Sequence, residues 1–187
     1  MTRLMILVAS VRDGRIGLPI AEWVRREAEA DSRFEIDWAD LKEIGLPLMD
    51  EPNHPKLRQY TKDYTKAWSA RVEAAEAFVF VQPEYNYSYA PSLKNALDYL
   101  HQEWRRKPVG TVSYGGISGG TRGTTAIRPV ELVVGLVPTT VNVELAWAAQ
   151  HIGDEGDFEP TENNGRLLHA MFDEIVELNQ ALAPLRG

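Results

Sequence analysis

Two periodicities alternate along the chain. Unbroken apolar runs at residues 4–9 and 77–81 read as strands buried on both faces, as in a parallel sheet. Residues 34–39 alternate apolar and charged side chains, the pattern of an edge strand, and residues 107–114 and 140–145 supply a fourth and a fifth strand. Between them apolar residues recur at helical spacing. Ile20, Trp23, Val24 and Ala28 follow the first strand, with Pro19 in the first turn, a position proline tolerates. Further helices are predicted from about 56 to 75, over 92–100, through Ile127, Val130, Leu132, Val133 and Val134, and through Leu168, Met171, Ile175, Leu178 and Leu182. Strand and helix alternate throughout. Because right-handed crossovers leave few other packings, this order predicts an α/β fold, a parallel sheet with helices on both faces. The 187 residues read as a single domain, 1–187, with no repeat or linker.

Composition narrows the function. Twenty-seven acidic against 20 basic residues give a net charge of −7, which argues against a nucleic-acid binder and its basic field. The absence of cysteine excludes disulfides, iron–sulfur clusters and thiolate zinc sites, and it fits a cytoplasmic protein. No apolar run approaches the ~20 residues of a membrane span. The apolar N-terminal run is too short for a signal peptide, with charges returning at Arg12 and Asp13, so a buried strand is expected there.

The chemistry is expected at strand ends. In open α/β sheets ligands bind outside the carboxyl ends of the strands. After the third strand comes Pro83-Glu84-Tyr85-Asn86-Tyr87-Ser88-Tyr89-Ala90-Pro91, whose three tyrosines offer flat apolar faces suited to a planar heterocycle. Strand-end packing is the other use of those rings. After the first strand, Ser10 offers a hydroxyl and Arg12 and Arg15 offer guanidinium forks at a helix start, which suits a terminal phosphate; the alternative is a solvated charged turn. G-x-G-x-x-G and the P-loop pattern are both absent. Ser113-Tyr114-Gly115-Gly116 ends the fourth strand, and its glycine N–H groups can stabilise an anionic oxygen.

Other motifs are weaker. Gly116-Ile117-Ser118-Gly119-Gly120 matches the G-x-S-x-G elbow of serine hydrolases, with Glu144, Asp154 or Asp157 and then His169 in hydrolase order; two glycines after Ser118, however, start a helix badly. The four histidines show no metal-ligand spacing, so no metal is expected. Trp104 followed by Arg105-Arg106-Lys107 reads as a helix end with cations answering its dipole.

Pro83-Glu84-Tyr85-Asn86 followed by Leu93-Lys94-Asn95-Ala96-Leu97-Asp98, with Ser10-x-Arg12 and Ser113-Tyr114-Gly115-Gly116, resembles the NADPH-dependent FMN reductase family of flavodoxin-like fold, which includes quinone, azo-dye and chromate reductases. The resemblance implies a three-layer sandwich around a five-stranded parallel sheet of order 2-1-3-4-5. It also implies bound FMN, NAD(P)H as co-substrate, and hydride passed to a quinone, flavin, azo compound or oxyanion. By it Ser10, Arg12, Gly17 and Leu18, with Arg15, hold the FMN phosphate; Pro83, Glu84, Tyr85 and Asn86 border the ring; and Ser113, Tyr114, Gly115 and Gly116 line its other side. Tyr87, Tyr89 and Trp104 are candidates to shape the stacking slot, and no catalytic side chain is required. The family also implies a homodimer or homotetramer, for which apolar residues of the 56–75 and 92–104 helices are candidates beside their use in the core. The competing class is a flavodoxin-like electron carrier without turnover of its own, although flavodoxins as a family use an uncharged phosphate loop.

Overall fold

The computed structural model describes residues 1–186. Strand β1 (Thr2–Val8) leads to α1 (Gly17–Glu29), β2 (Phe34–Asp40), a short α2 (Leu41–Ile44), α3 (Asp63–Ala74), β3 (Ala77–Pro83), α4 (Pro91–Asp98), β4 (Pro108–Gly115) and α5 (Thr121–Val134). Two short strands, β5 (Val137–Pro138) and β6 (Val143–Ala146), precede the final α6 (Glu162–Leu182). The strands of the sheet pair in parallel, in the order β2-β1-β3-β4-β5, with β6 also on β4. The expected order therefore stands.

The period of two along β1 sorts the core into its layers. Leu4, Ile6 and Val8 pack with Ile20, Trp23 and Val24 of α1 and Leu168, Met171 and Phe172 of α6. Met5 and Leu7 face the other way, toward Trp68 and Val72 of α3, Leu93 and Leu97 of α4 and Ile127 of α5. Helices thus cover both faces, which leaves the ends of the strands, the carboxyl ends among them, open for a ligand.

Three elements differ from expectation. The strand predicted over 140–145 forms only from Val143, as β6, which pairs the end of β4; an unpredicted β5 pairs its start, and between them Thr139 Oγ1 donates to the carbonyl of Val141 at 2.9 Å. The predicted helix from 56 begins only at Asp63, because the Glu51 carboxylate accepts from the backbone N–H of Thr61 at 2.8 Å and of Lys62 at 2.9 Å and fixes the start there. Lys107 does answer a helix dipole, but that of α3: its Nζ donates to the carbonyls of Val72 at 2.8 Å and Glu73 at 2.9 Å.

Candidate functional site

The first loop, residues 9–16, sorts its charges by pairing. Arg15 is bound bidentately to Asp40 at the end of β2, and its guanidinium also donates to the carbonyl of Ser10 at 2.6 Å. Its side chain is 9 % exposed and that of Asp40 is 1 % exposed, so this is a buried brace. The hydrogen bonds to Asp40 raise the pKa of Arg15. Asp13 is paired to Lys42 at 2.5 Å, and that hydrogen bond lowers its pKa. Arg12 is exposed, has no carboxylate partner among the described residues, and lies 5.9 Å from the centroid of the Tyr85 ring. Helix α1 then starts with no side-chain cap, leaving the N–H groups of its first turn for an incoming anion.

Tyr114, at the end of β4, completes this corner. Its hydroxyl is buried with no hydrogen bond of good geometry among the described residues; burial raises its pKa, and the nearby Ser10 hydroxyl opposes part of that rise. A Cβ at Gly17 would stand 2.1 Å from that hydroxyl, so glycine is required for the ring to reach the loop. A buried, unpartnered donor beside an uncapped helix start and a free guanidinium fits a phosphate ester.

The β3–α4 loop is a tight turn. Tyr85 and Ser88 exchange backbone hydrogen bonds at 2.8 and 2.9 Å, and Asn86 and Tyr87 both have positive φ, 48° and 70°. Asparagine tolerates that conformation; a tyrosine there costs roughly 1–2 kcal/mol. The Tyr87 ring, 70 % exposed, stacks at 4.0 Å on the guanidinium of Arg122, which offsets part of the strain.

Glu84 ties this turn to the glycine-rich loop. Its carboxylate, 8 % exposed, accepts from Ser118 Oγ at 2.9 Å and from the backbone N–H of Arg122 at 3.1 Å, and pairs with the Arg122 guanidinium at 3.0 Å. Helix α5 has no cap of its own. Gly120 precedes it at φ 93°, where a Cβ would meet that of Ser113 at 2.5 Å. Glu84 therefore serves as its N-terminal cap, supplied from the neighbouring strand. The same contact uses Ser118, and His169 pairs instead with Glu27 at 3.1 Å, so the hydrolase constellation is not assembled.

These loops enclose a cavity of about 470 Å³ lined by Ser10, Arg12, Arg15, Pro83, Glu84, Tyr85, Tyr114, Gly115 and Gly116. An adjoining cavity shares Arg12, Glu84 and Tyr85 and adds Asn86, Tyr89 and Pro91. Asn86 thus faces the outer chamber. Gly17 and Leu18 are the first residues of α1, so their backbone N–H groups belong to its uncapped first turn. Ser113 does not face the cavity: its side chain is buried and donates to the carbonyl of Gly119 at 3.0 Å. Trp104 is also misplaced by the sequence reading. It is fully buried against Phe78, 5.0 Å between ring centroids, and shapes no slot.

Sequence reasoning missed Trp147, which is half exposed, sits at φ 52° and stands over Gly116 at the cavity wall. Its signal was an aromatic just beyond the last strand, past the residues that pack into the sheet.

A family profile described as NADPH-dependent FMN reductase matches residues 2–150. An NAD(P)H-dependent FMN reductase of Schizosaccharomyces pombe is 41 % identical over 120 residues, 63 % of this chain and 60 % of that protein. One from Nectria sp. is 33 % identical over 155 residues, 80 % of this chain and 77 % of that protein. The first match thus spans less than two thirds of its relative's length. Among solved structures, the flavoenzyme NAD(P)H:(acceptor) oxidoreductase FerB of Paracoccus denitrificans superposes with a TM-score of 0.78 over 97 % of this chain and 99 % of that one, at 22 % identity, a likeness of fold. The chain belongs to the NADPH-dependent FMN reductase family.

Proposed function

We propose that the protein is an FMN-dependent NAD(P)H oxidoreductase that reduces quinones or similar small acceptors. The observation that carries this reading is one cavity in which the unpaired Arg12, the uncapped start of α1 and the orphaned Tyr114 hydroxyl adjoin the flat walls of Tyr85 and Trp147. The first group suits a phosphate and the second a planar ring. Bound FMN supplies the hydride chemistry. The chain's own residues hold and shield it. Arg12 and Ser10 bind the phosphate, Arg15 braces their loop from beneath, and Glu84 fixes the glycine loop against the ring. The backbone N–H groups at Gly115 and Gly116 favour negative charge beside them. Asn86 and Tyr89 line the outer chamber, where nicotinamide and acceptor bind in turn.

The test is NADPH oxidation by FMN-loaded protein with a benzoquinone acceptor. Sustained turnover with parallel double-reciprocal lines is expected, as for two substrates sharing one chamber. Reduction that stops after one equivalent would instead mark an electron carrier. We also infer self-association. Trp68 and Val72 of α3 and Leu93 and Leu97 of α4 are spent in the core, and the exposed apolar side chains include Leu48, Met49 and Leu57 in the loop before α3, Tyr64 on α3 and Leu132 and Val133 on α5. Light scattering on the purified protein decides this.

A further inference from the structure

A second cavity, of about 280 Å³, opens where β4 begins. The eight residues of that strand set it roughly 25 Å from the first site. Its charged lining is Arg58, Glu73, Glu103, Arg105, Arg106, Lys107 and Arg186. On a chain of net charge −7, five cations against two carboxylates reverse the local sign. Both carboxylates are already engaged. Glu103, 1 % exposed, accepts from Tyr60 Oη at 2.8 Å and Ser69 Oγ at 2.7 Å, with Arg58 at 3.4 Å. Glu73 takes Arg58 at 2.8 Å. Arg58 thus answers both acids, and Arg105, Arg106, Lys107 and Arg186 line the cavity with no carboxylate partner among the described residues.

Lys107 is the deepest of the four, at 7 % exposure. The two carbonyls of α3 use two of its three protons and leave one. Burial pulls its pKa down to about 8, as expected of a cation short of a counter-ion. Arg106 and Arg186 are oriented in advance: Arg106 donates to the carbonyl of Leu185, and Arg186 donates to the carbonyl of Arg106 at 2.8 Å and to Asn179 Oδ1 at 2.7 Å.

The backbone singles out the same place. Among the described residues, five non-glycine positions have positive φ. Asn86, Tyr87 and Trp147 belong to the first site or its rim. The other two, Arg58 at 51° and Arg106 at 58°, both line this cavity. Side chains held in that conformation collect at ligand sites.

We propose that this cavity is a second ligand site, for a small polyanion of the pyrophosphate or tricarboxylate class, held by the guanidinium groups of Arg105, Arg106 and Arg186 above the Lys107 ammonium. Planar guanidinium forks match the paired oxygens of such anions. The volume lies below the roughly 300–1,000 Å³ of sites for drug-sized ligands, so the occupant is small.

The test is calorimetric titration of FMN-saturated protein with pyrophosphate, and separately with citrate, at constant ionic strength. FMN keeps the first cavity filled, and an Arg12→Ala arm separates the two sites. One saturable site is expected, unchanged in Arg12→Ala and weakened at least tenfold in Arg105→Ala/Arg106→Ala. Arg105→Gln alone, which spares the backbone contacts of Arg106, is expected to give an intermediate loss should the double variant fold poorly. No saturable heat, equal affinity in the Arg105 and Arg106 variants, equal competition by chloride, or loss in Arg12→Ala would each overturn the proposal.

Discussion

Arg12 and Arg15 stand three positions apart and serve different ends. Arg12 is exposed and unpaired; Arg15 is buried on Asp40. Arg12→Ala removes a charge-assisted contact worth about 1.5–3 kcal/mol, so FMN affinity is expected to fall roughly 10- to 100-fold with an unchanged urea midpoint. Arg15→Ala leaves a buried carboxylate unanswered, which costs about 3–5 kcal/mol, so here the midpoint drops even without flavin. An Arg15→Ala protein as stable as wild type would contradict this division. The sequence shows both arginines but not their division of labour. Asp40 lies 25 residues further on and meets Arg15 only because β1 and β2 pair in the register Val8 to Asp40.

Among the elements, α3 and α5 share a device that local sequence cannot display. Neither has a side-chain cap at its own N-cap residue, and each is capped by a distant glutamate: Glu51 at α3, Glu84 at α5. That is why the α-helix that the sequence starts at 56 begins only at Asp63, and why two glycines after Ser118 read as a poor helix start and yet precede one. The buried runs of β1, β3 and β4 and the α1, α4 and α6 periodicities were legible because each follows from side-chain spacing alone. The late start of β6 and the separate β5 were not, since they depend on the Thr139 turn. Glu84→Ala is expected to lower the unfolding free energy by about 1–2 kcal/mol, the value of a lost cap, read as a fall in the urea midpoint, and to weaken FMN binding with it. Glu84→Gln keeps an acceptor for Ser118 and the Arg122 N–H and should restore most of both. Glu84→Ala with wild-type stability would show that the cap is idle.

For the whole molecule, the charge is uneven in a way composition hides. The net −7 coexists with a cationic cavity around Lys107. Its pKa near 8 in the fold, against an ordinary 10.5, means the folded chain releases that proton first. Between about pH 8 and 10.5 the unfolded chain binds more protons at this group, so its contribution to stability rises with pH across that window. The gain is on the order of 3 kcal/mol at the upper end. Lys107→Met, of similar volume, should lose this rise relative to wild type when urea midpoints are compared in phosphate-free buffer. Parallel pH profiles for the two proteins would refute it.

The reading of the whole molecule rests on a site that grips a phosphate and a ring together. Fluorescence titration of the purified protein with FMN and with riboflavin tests that most directly, because the two ligands share the ring and differ in the phosphate. The expected result is saturable binding of one FMN per chain, with riboflavin at least a hundredfold weaker. Equal affinity for the two flavins, or no saturable binding of either, would contradict the account.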